Sequence, residues 1–388
     1  MMNAEAILDE ARATVGVDDP DRAAILPHLE QLVAAIAADG KLSAQGAAIT
    51  RAALVQRAVD RLEGIAWTQR IPAILDERID SPLILTGLPR SGTTAFQYLF
   101  DHDPRYRMIR TWQSAMPNPP PGADPASVAA RKAIEVERRR STPLPPGFEA
   151  VHLMDLDGPE ECHGTLEQGY AAAGFHNLLD VPGYFEFLCD GDFGPVTRIH
   201  QRQLQLWQWN LPPARWALKY PNHLLGLDAI LATYPDARVS MTHRDPVQVV
   251  ASIARLTLVL RGVRQDRPVD PHHVGRQMLH FIERHVDRLM AFADGPHAGR
   301  LVHVDYYRLL SDPAGAYGDA QEALGFGCPD HVREGIRAWH RANPKGKRGA
   351  NPYALREFGL DEAEVAERFS AYRQRFAIPR EHEALAAL

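Results

Sequence analysis

Over residues 3 to about 75, apolar positions recur at helical spacing: Ile7, Ala11 and Val15, then Ile25, Leu29, Leu32, Val33 and Ile36. Steps of three and four put such residues on one face of a helix, so residues 1–78 are expected to form a helical N-terminal region packed on a core. Gly40 predicts the end of one helix and Ser43 the cap of the next. The pattern breaks at Asp80-Ser81-Pro82. Beyond it, Leu83-Ile84-Leu85-Thr86 reads as a strand, Gly87 to Thr94 as a loop, and Ala95, Phe96, Leu99 and Phe100 as the next helix.

The same unit recurs downstream. Trp216-Ala217-Leu218-Lys219 predicts a strand, Tyr220-Pro221-Asn222 a turn, and His223 to Tyr234 a helix. Arg238 to Thr242 predicts another strand, leading through His243-Arg244-Asp245-Pro246 into a helical stretch from Val247 to Leu260. Leu301-Val302-His303-Val304 is a fourth candidate strand, ending at Asp305-Tyr306-Tyr307. Strands alternating with helices of this length imply βαβ units. The expected fold class is therefore α/β, a mostly parallel central sheet flanked by helices over residues 79–388. In open sheets of this kind ligands bind outside the carboxyl ends of the strands. Arg90, Lys219, Arg244 and Tyr306 lie just past the four predicted ends. Three converging cations suit a polyanion.

Composition narrows the partners. A formal net charge of −6 argues against wholesale nucleic-acid binding, and Arg138-Arg139-Arg140 reads as the solvated face of a charged helix near 126–140. Cys162, Cys189 and Cys328 are too few and too scattered for a disulfide framework, which points to a reducing, cytoplasmic setting. The first residues lack the basic and apolar blocks of a signal peptide, and no uncharged apolar stretch approaches the ~18–20 residues of a membrane helix. No Cys-x-x-Cys pair exists. Glu160, Glu161, Cys162 and His163 make a poor ligand set because consecutive residues seldom converge on one ion. No metal is expected.

The loop Gly87-Leu88-Pro89-Arg90-Ser91-Gly92-Thr93-Thr94 is the most specific feature. A Gly-x-x-x-x-Gly turn between strand and helix directs backbone N–H groups and the positive helix end at an anion. The lysine that follows the second glycine in nucleotide triphosphatases is replaced here by Thr93. Arg90 supplies a cation from inside the loop, with a planar fork suited to bidentate contacts.

This loop resembles the 5′-phosphosulfate-binding loop of the sulfotransferases that use 3′-phosphoadenosine 5′-phosphosulfate (PAPS), in the bacterial branch similar to the tyrosylprotein sulfotransferases. The likeness extends through Asp103-Pro104-Arg105-Tyr106-Arg107, Gly158-Pro159-Glu160-Glu161-Cys162, Arg215 to Lys219 and His243-Arg244-Asp245-Pro246, and on to Tyr353 to Leu360. It implies that Arg90, Ser91, Gly92, Thr93 and Thr94 hold the 5′ end of PAPS, that Arg244 and Ser252 bind its 3′-phosphate, and that Lys219 stands beside the transferring sulfuryl group. It further implies that Tyr306 lies near the adenine or its phosphate, with Tyr307 as a competitor. PAP would be the product. The basic stretch containing Lys347, Arg348 and Gly349 reads either as a segment closing over the 3′-phosphate or as a solvated loop.

The acceptor side is expected in a helical insertion at about 112–210. Similar sequences often carry a glutamate after Thr-Trp, but Thr111-Trp112 is followed by Gln113, and an amide cannot take a proton. His152 is the favoured general base, ahead of Asp155, Glu160, Glu161 and His163. Trp112, Phe148, Tyr170, Phe175, Tyr184, Phe185 and Phe187 would serve an aromatic-lined acceptor pocket or a core equally well. The expected acceptor is a hydroxyl or an amine of a small molecule, lipid or glycan. A P-loop kinase or NTPase, and a non-catalytic nucleotide- or lipid-binding module, are the competing readings. A homo-oligomer is compatible with the sequence.

Overall fold

The computed structural model describes residues 2–141, 155–343 and 354–388. The N-terminal periodicity becomes three helices, α1 (Ala4–Val15), α2 (Arg22–Asp39) and α3 (Ala44–Arg70). Asn3 caps α1 by accepting from the Ala6 N–H at 2.8 Å, Gly16 ends it at φ 79°, and the Ser43 hydroxyl accepts from the Gly46 N–H at 2.8 Å to start α3. Their apolar faces join the main core. Ile7, Ala11, Ile25, Leu29, Leu54 and Ala58 belong to one buried cluster with Ile84, Leu218, Val239 and Met241 of the sheet.

Five strands follow, β1 (Leu83–Gly87), β2 (Tyr106–Arg107), β3 (Arg215–Lys219), β4 (Arg238–His243) and β5 (Leu301–Asp305). All pair in parallel, in the order β2-β3-β1-β4-β5. Along β1, Ile84 faces the large cluster while Leu83 and Leu85 face a second one containing Phe96, Phe100, Val304 and Tyr317. Covering both faces explains why β1 reads as a continuous apolar run rather than as alternation. The register aligns Leu85 with Lys219, Gly87 with Thr242, and His243 with Asp305. The carboxyl ends of β3, β1 and β4 therefore open side by side, and the chain order reverses at β1.

Two features depart from the periodic reading. β2 is only two residues long and gives no periodic signal; Tyr106 pairs with Arg215 and its hydroxyl donates to Gln321 Oε1 at 2.7 Å. The helix expected from His223 to Tyr234 starts instead as a 3₁₀ turn, Pro221–Gly226, with a true helix only over Leu227–Thr233. Tightening there turns Asn222 inward, where its side-chain oxygen meets His285 Nε2 at 2.8 Å.

The helices that carry the site are α4 (Thr93–Phe100), α5 (Thr111–Ala115), α6 (Ala126–Ser141), α7 (His163–Glu167), α8 (Gly174–Leu178), α9 (Pro182–Cys189), α10 (Gly194–Gln208), α11 (Leu227–Thr233) and α12 (Pro246–Gly262). Arg61 of α3 is buried, ion-paired with Asp19 at 2.6 Å and bonded to the Gln168 carbonyl, which ties the N-terminal helices to the region beyond α7. Among the described residues no helix is long and apolar enough to cross a membrane.

Candidate active site

The loop after β1 is built by close contact. Gly87 has φ 135°, and a Cβ there would lie 2.5 Å from the Thr242 carbonyl oxygen. Gly92, which starts α4, has φ 89°, and its Cβ would lie 2.5 Å from Tyr306 Cδ2. Only glycine fits either position. Arg90 itself sits in the left-handed region at φ 70°, a strain that surrounding bonds hold in place. Arg244 Nη1 donates to the Arg90 carbonyl at 2.9 Å, and Arg90 Nε donates to Ser252 Oγ at 3.1 Å. Ser91 is fully buried; its hydroxyl donates to the Leu88 carbonyl at 2.6 Å and lies 2.7 Å from Thr242 Oγ1. The structure thus places Ser91 within the loop's scaffold, while the N–H groups of the first turn of α4 lack intrahelical partners and point along its axis.

Lys219, the last residue of β3, is buried, and its ammonium donates to Thr94 Oγ1 at 3.1 Å and pairs with the Glu161 carboxylate. The backbone returns the contact, since the Cys162 N–H donates to the Lys219 carbonyl at 2.8 Å. Residues 160–162 are thereby fixed across the end of β3. A pairing of Arg110 with Pro159 and the Glu160 N–H bond to the Ile109 carbonyl at 2.8 Å complete the fixation.

Arg244 leaves β4 just before α12, whose first turn is capped by Asp245 accepting from the Val247 N–H at 3.2 Å. Its guanidinium lies 4.6 Å from the Tyr306 ring centroid. Nε and Nη2 grip both carboxylate oxygens of Glu381 at 2.6 and 2.7 Å. Glu381 opens the helix Glu381–Ala386, and its own N–H donates to Asp245 Oδ2 at 3.0 Å. A carboxylate in a bidentate guanidinium fork has the shape and charge of a bound oxyanion. Of the two competing tyrosines, Tyr306 meets the loop, whereas Tyr307 is buried and accepts from the Asp245 N–H at 3.3 Å. Burial pushes the Tyr307 hydroxyl well above the usual tyrosine range and lowers neighbouring His243 to about 3. The charged groups around Arg244 are therefore Glu381 and Asp245.

Arg90, Thr93, Thr94, Lys219, Arg244, Ser252 and Tyr306 thus meet at one crevice over the ends of β1, β3 and β4. His152, Lys347, Arg348 and Gly349 lie outside the described residues. Gln113 is buried, and its side-chain oxygen accepts from the Arg110 N–H at 3.1 Å, a helix-capping role. The carboxylate that reaches Lys219 is Glu161, one of the minor candidates of the sequence reading. Asp155 is exposed. Tyr170, Phe175, Tyr184 and Phe185 are core residues; the Tyr170 hydroxyl donates to the Leu54 carbonyl at 3.0 Å, and that of Tyr184 to the Tyr170 carbonyl at 2.7 Å. Sequence reasoning missed Glu381. An acid within Arg380-Glu381-His382-Glu383 gives no signal beyond a short helix start.

A glycine-turned anion loop on the central parallel strand, with a buried lysine and an arginine at the flanking strand ends, defines a P-loop-like group-transfer enzyme. The chain belongs to the sulfotransferase family, whose model matches residues 82–330, and it is an enzyme of that class. Its structure is similar to that of sulfotransferase STF9 from Mycobacterium avium, at 25% identity over 98% of each chain with a TM-score of 0.87. It is also similar to sulfotransferase STF1 from Mycobacterium tuberculosis H37Rv, at 28% identity over 95% of this chain and 99% of that one, with a TM-score of 0.82. No curated protein matches the sequence.

Proposed function

We propose that the enzyme moves the sulfuryl group of PAPS to a hydroxyl, or an amine, of a small molecule, lipid or glycan, by in-line transfer. The observation that carries this reading is Arg244: bonded to the Arg90 carbonyl and lying over Tyr306, it already holds an oxyanion, the Glu381 carboxylate. A 3′-phosphate would replace Glu381 there, with Ser252 and Arg90 alongside. The 5′ end would lie over the first turn of α4, with Thr93, Thr94 and Arg90 on its oxygens. Should Lys347, Arg348 and Gly349 close over the nucleotide, they would add charge at the 3′ end.

In this reading Lys219 donates to the oxygen bridging sulfur and the 5′-phosphate as that bond breaks and PAP departs. The acceptor oxygen forms the new bond to sulfur from the opposite side, and its proton passes to Glu161. We prefer Glu161 to His152 as the general base because its carboxylate reaches Lys219, beside the expected reaction centre. The step itself requires no metal. Residues 79–388 would carry the chemistry, with 1–78 packed on them as a helical region, and the three free cysteines favour a cytoplasmic setting.

A thermal-shift comparison tests the donor, because a ligand that binds only the folded state raises its melting temperature. PAP is expected to stabilise the enzyme more than ATP with Mg²⁺ at equal concentration. A preference for ATP would overturn the reading.

A further inference from the structure

At the carboxyl end of β3, three residues from separate elements meet in the core. Cys162 precedes α7, His200 projects from α10, and His223 lies in the 3₁₀ turn after β3. All three are buried, at 0%, 3% and 3% exposure. One nitrogen of each imidazole and the Cys162 sulfur all lie within 4.8 Å of one another. Among the described residues, neither ring nitrogen of His223 has a hydrogen-bond partner, nor has His200 Nε2. Buried polar atoms are almost always paired, so orphaned nitrogens of His200 and His223 beside the Cys162 thiol call for a ligand. His200 Nδ1 lies 2.8 Å from the Tyr234 hydroxyl. Donation from Nδ1 to that oxygen leaves the Nε2 lone pair free, the outer bond that metal-bound histidines usually make.

We propose that Cys162, His200 and His223 bind a single borderline-soft divalent cation, zinc, as a structural ion. Thiolate and neutral imidazole are the donors zinc takes, at about 2.3 Å for sulfur and about 2.0–2.1 Å for nitrogen, which puts tetrahedral ligand atoms roughly 3.3–3.6 Å apart. The present trio, within 4.8 Å, has to close to that spacing around the ion. A water completes the tetrahedron. The ion pins α7, α10 and the turn after β3 together, and Cys162 is the residue after Glu161 and the donor to the Lys219 carbonyl. It therefore braces the Glu161–Lys219 pair through the backbone and takes no part in sulfuryl transfer. Sequence spacing hides the site because its ligands lie far apart in the chain.

The test uses tag-free enzyme, since a polyhistidine tag binds metal itself. Elemental analysis of protein from zinc-supplemented cells is expected to give about one zinc per chain, and Cys162→Ser and His223→Asn to give less than about a tenth of that with unchanged far-ultraviolet circular dichroism. Should either variant fail to fold, cobalt substitution of the wild-type enzyme decides. One equivalent of Co²⁺ is expected to bring up both a thiolate-to-cobalt charge-transfer band and the strong visible bands of a tetrahedral site. Metal-free protein that takes up no cobalt overturns the proposal, as does zinc retained in folded Cys162→Ser or a cobalt spectrum without the thiolate band. None of these readouts depends on the nucleotide, so they stand or fall apart from the proposed function.

Discussion

The two sides of the crevice are built differently. On the donor side, the parallel register places Gly87, Lys219 and His243 at adjacent strand ends, so the loop, the lysine and Arg244 are fixed by the sheet itself. On the acceptor side, Gln113, Glu161 and His163 hang from helices of five residues or from the turns between them, positioned by single contacts such as the Cys162 N–H bond to the Lys219 carbonyl. A scaffold shared with the core fixes the anion site. A patchwork of short helices is where acceptor specificity can change without disturbing the fold.

That contrast can be broken by substitution. The largest effect is expected at Glu161: Glu161→Gln removes the base and is expected to lower kcat by roughly a hundred- to ten-thousandfold, with PAP affinity within about threefold of wild type by calorimetry. Equal losses in kcat and PAP affinity would move Glu161 to the donor side. Lys219→Met is expected to lower kcat by about a hundred- to a thousandfold, the usual cost of one transition-state donor, measured by single-turnover transfer of labelled sulfate. Gly92→Ala drives a Cβ toward the Tyr306 ring at φ 89° and is expected to cost about 1–3 kcal/mol of strain, read as a lower Tm and weakened PAP binding with an intact sheet signature. The smallest effect goes the other way. Glu381→Gln removes the internal anion from a largely buried guanidinium and is expected to tighten PAP binding by roughly three- to tenfold, about the net worth of one hydrogen bond, while the unliganded enzyme melts slightly earlier.

The same contrast explains what could be read from the chain. Arg90, Lys219 and Arg244 were legible because each follows a short apolar run, and parallel pairing turns such runs into neighbours. Ser252 came only from the likeness to the sulfotransferases. Tyr306 and Tyr307 could not be ranked from sequence, since alternate burial at a strand end depends on the helix that follows. Gln113 was readable as no base, but the carboxylate at Lys219 was not, because Glu161 is positioned by a backbone bond that crosses the sheet. Glu381 reaches Arg244 from 137 positions away. No local pattern announces such a contact. Most of the aromatic residues between 170 and 187 were legible only as apolar; packing made them core, Tyr170 against α3 and Phe185 against Phe281.

The central claim is that Arg244 reads the 3′-phosphate of the donor nucleotide. A double-mutant cycle tests it most directly, crossing Arg244→Ala with removal of the ligand's 3′-phosphate, using PAP and AMP as the two ligands in calorimetry. The predicted result is a coupling of about 1.5–3 kcal/mol, the range for a hydrogen bond to a charged group, with PAP losing affinity on substitution and AMP nearly unaffected. Equal losses for PAP and AMP, or none for either, would contradict it.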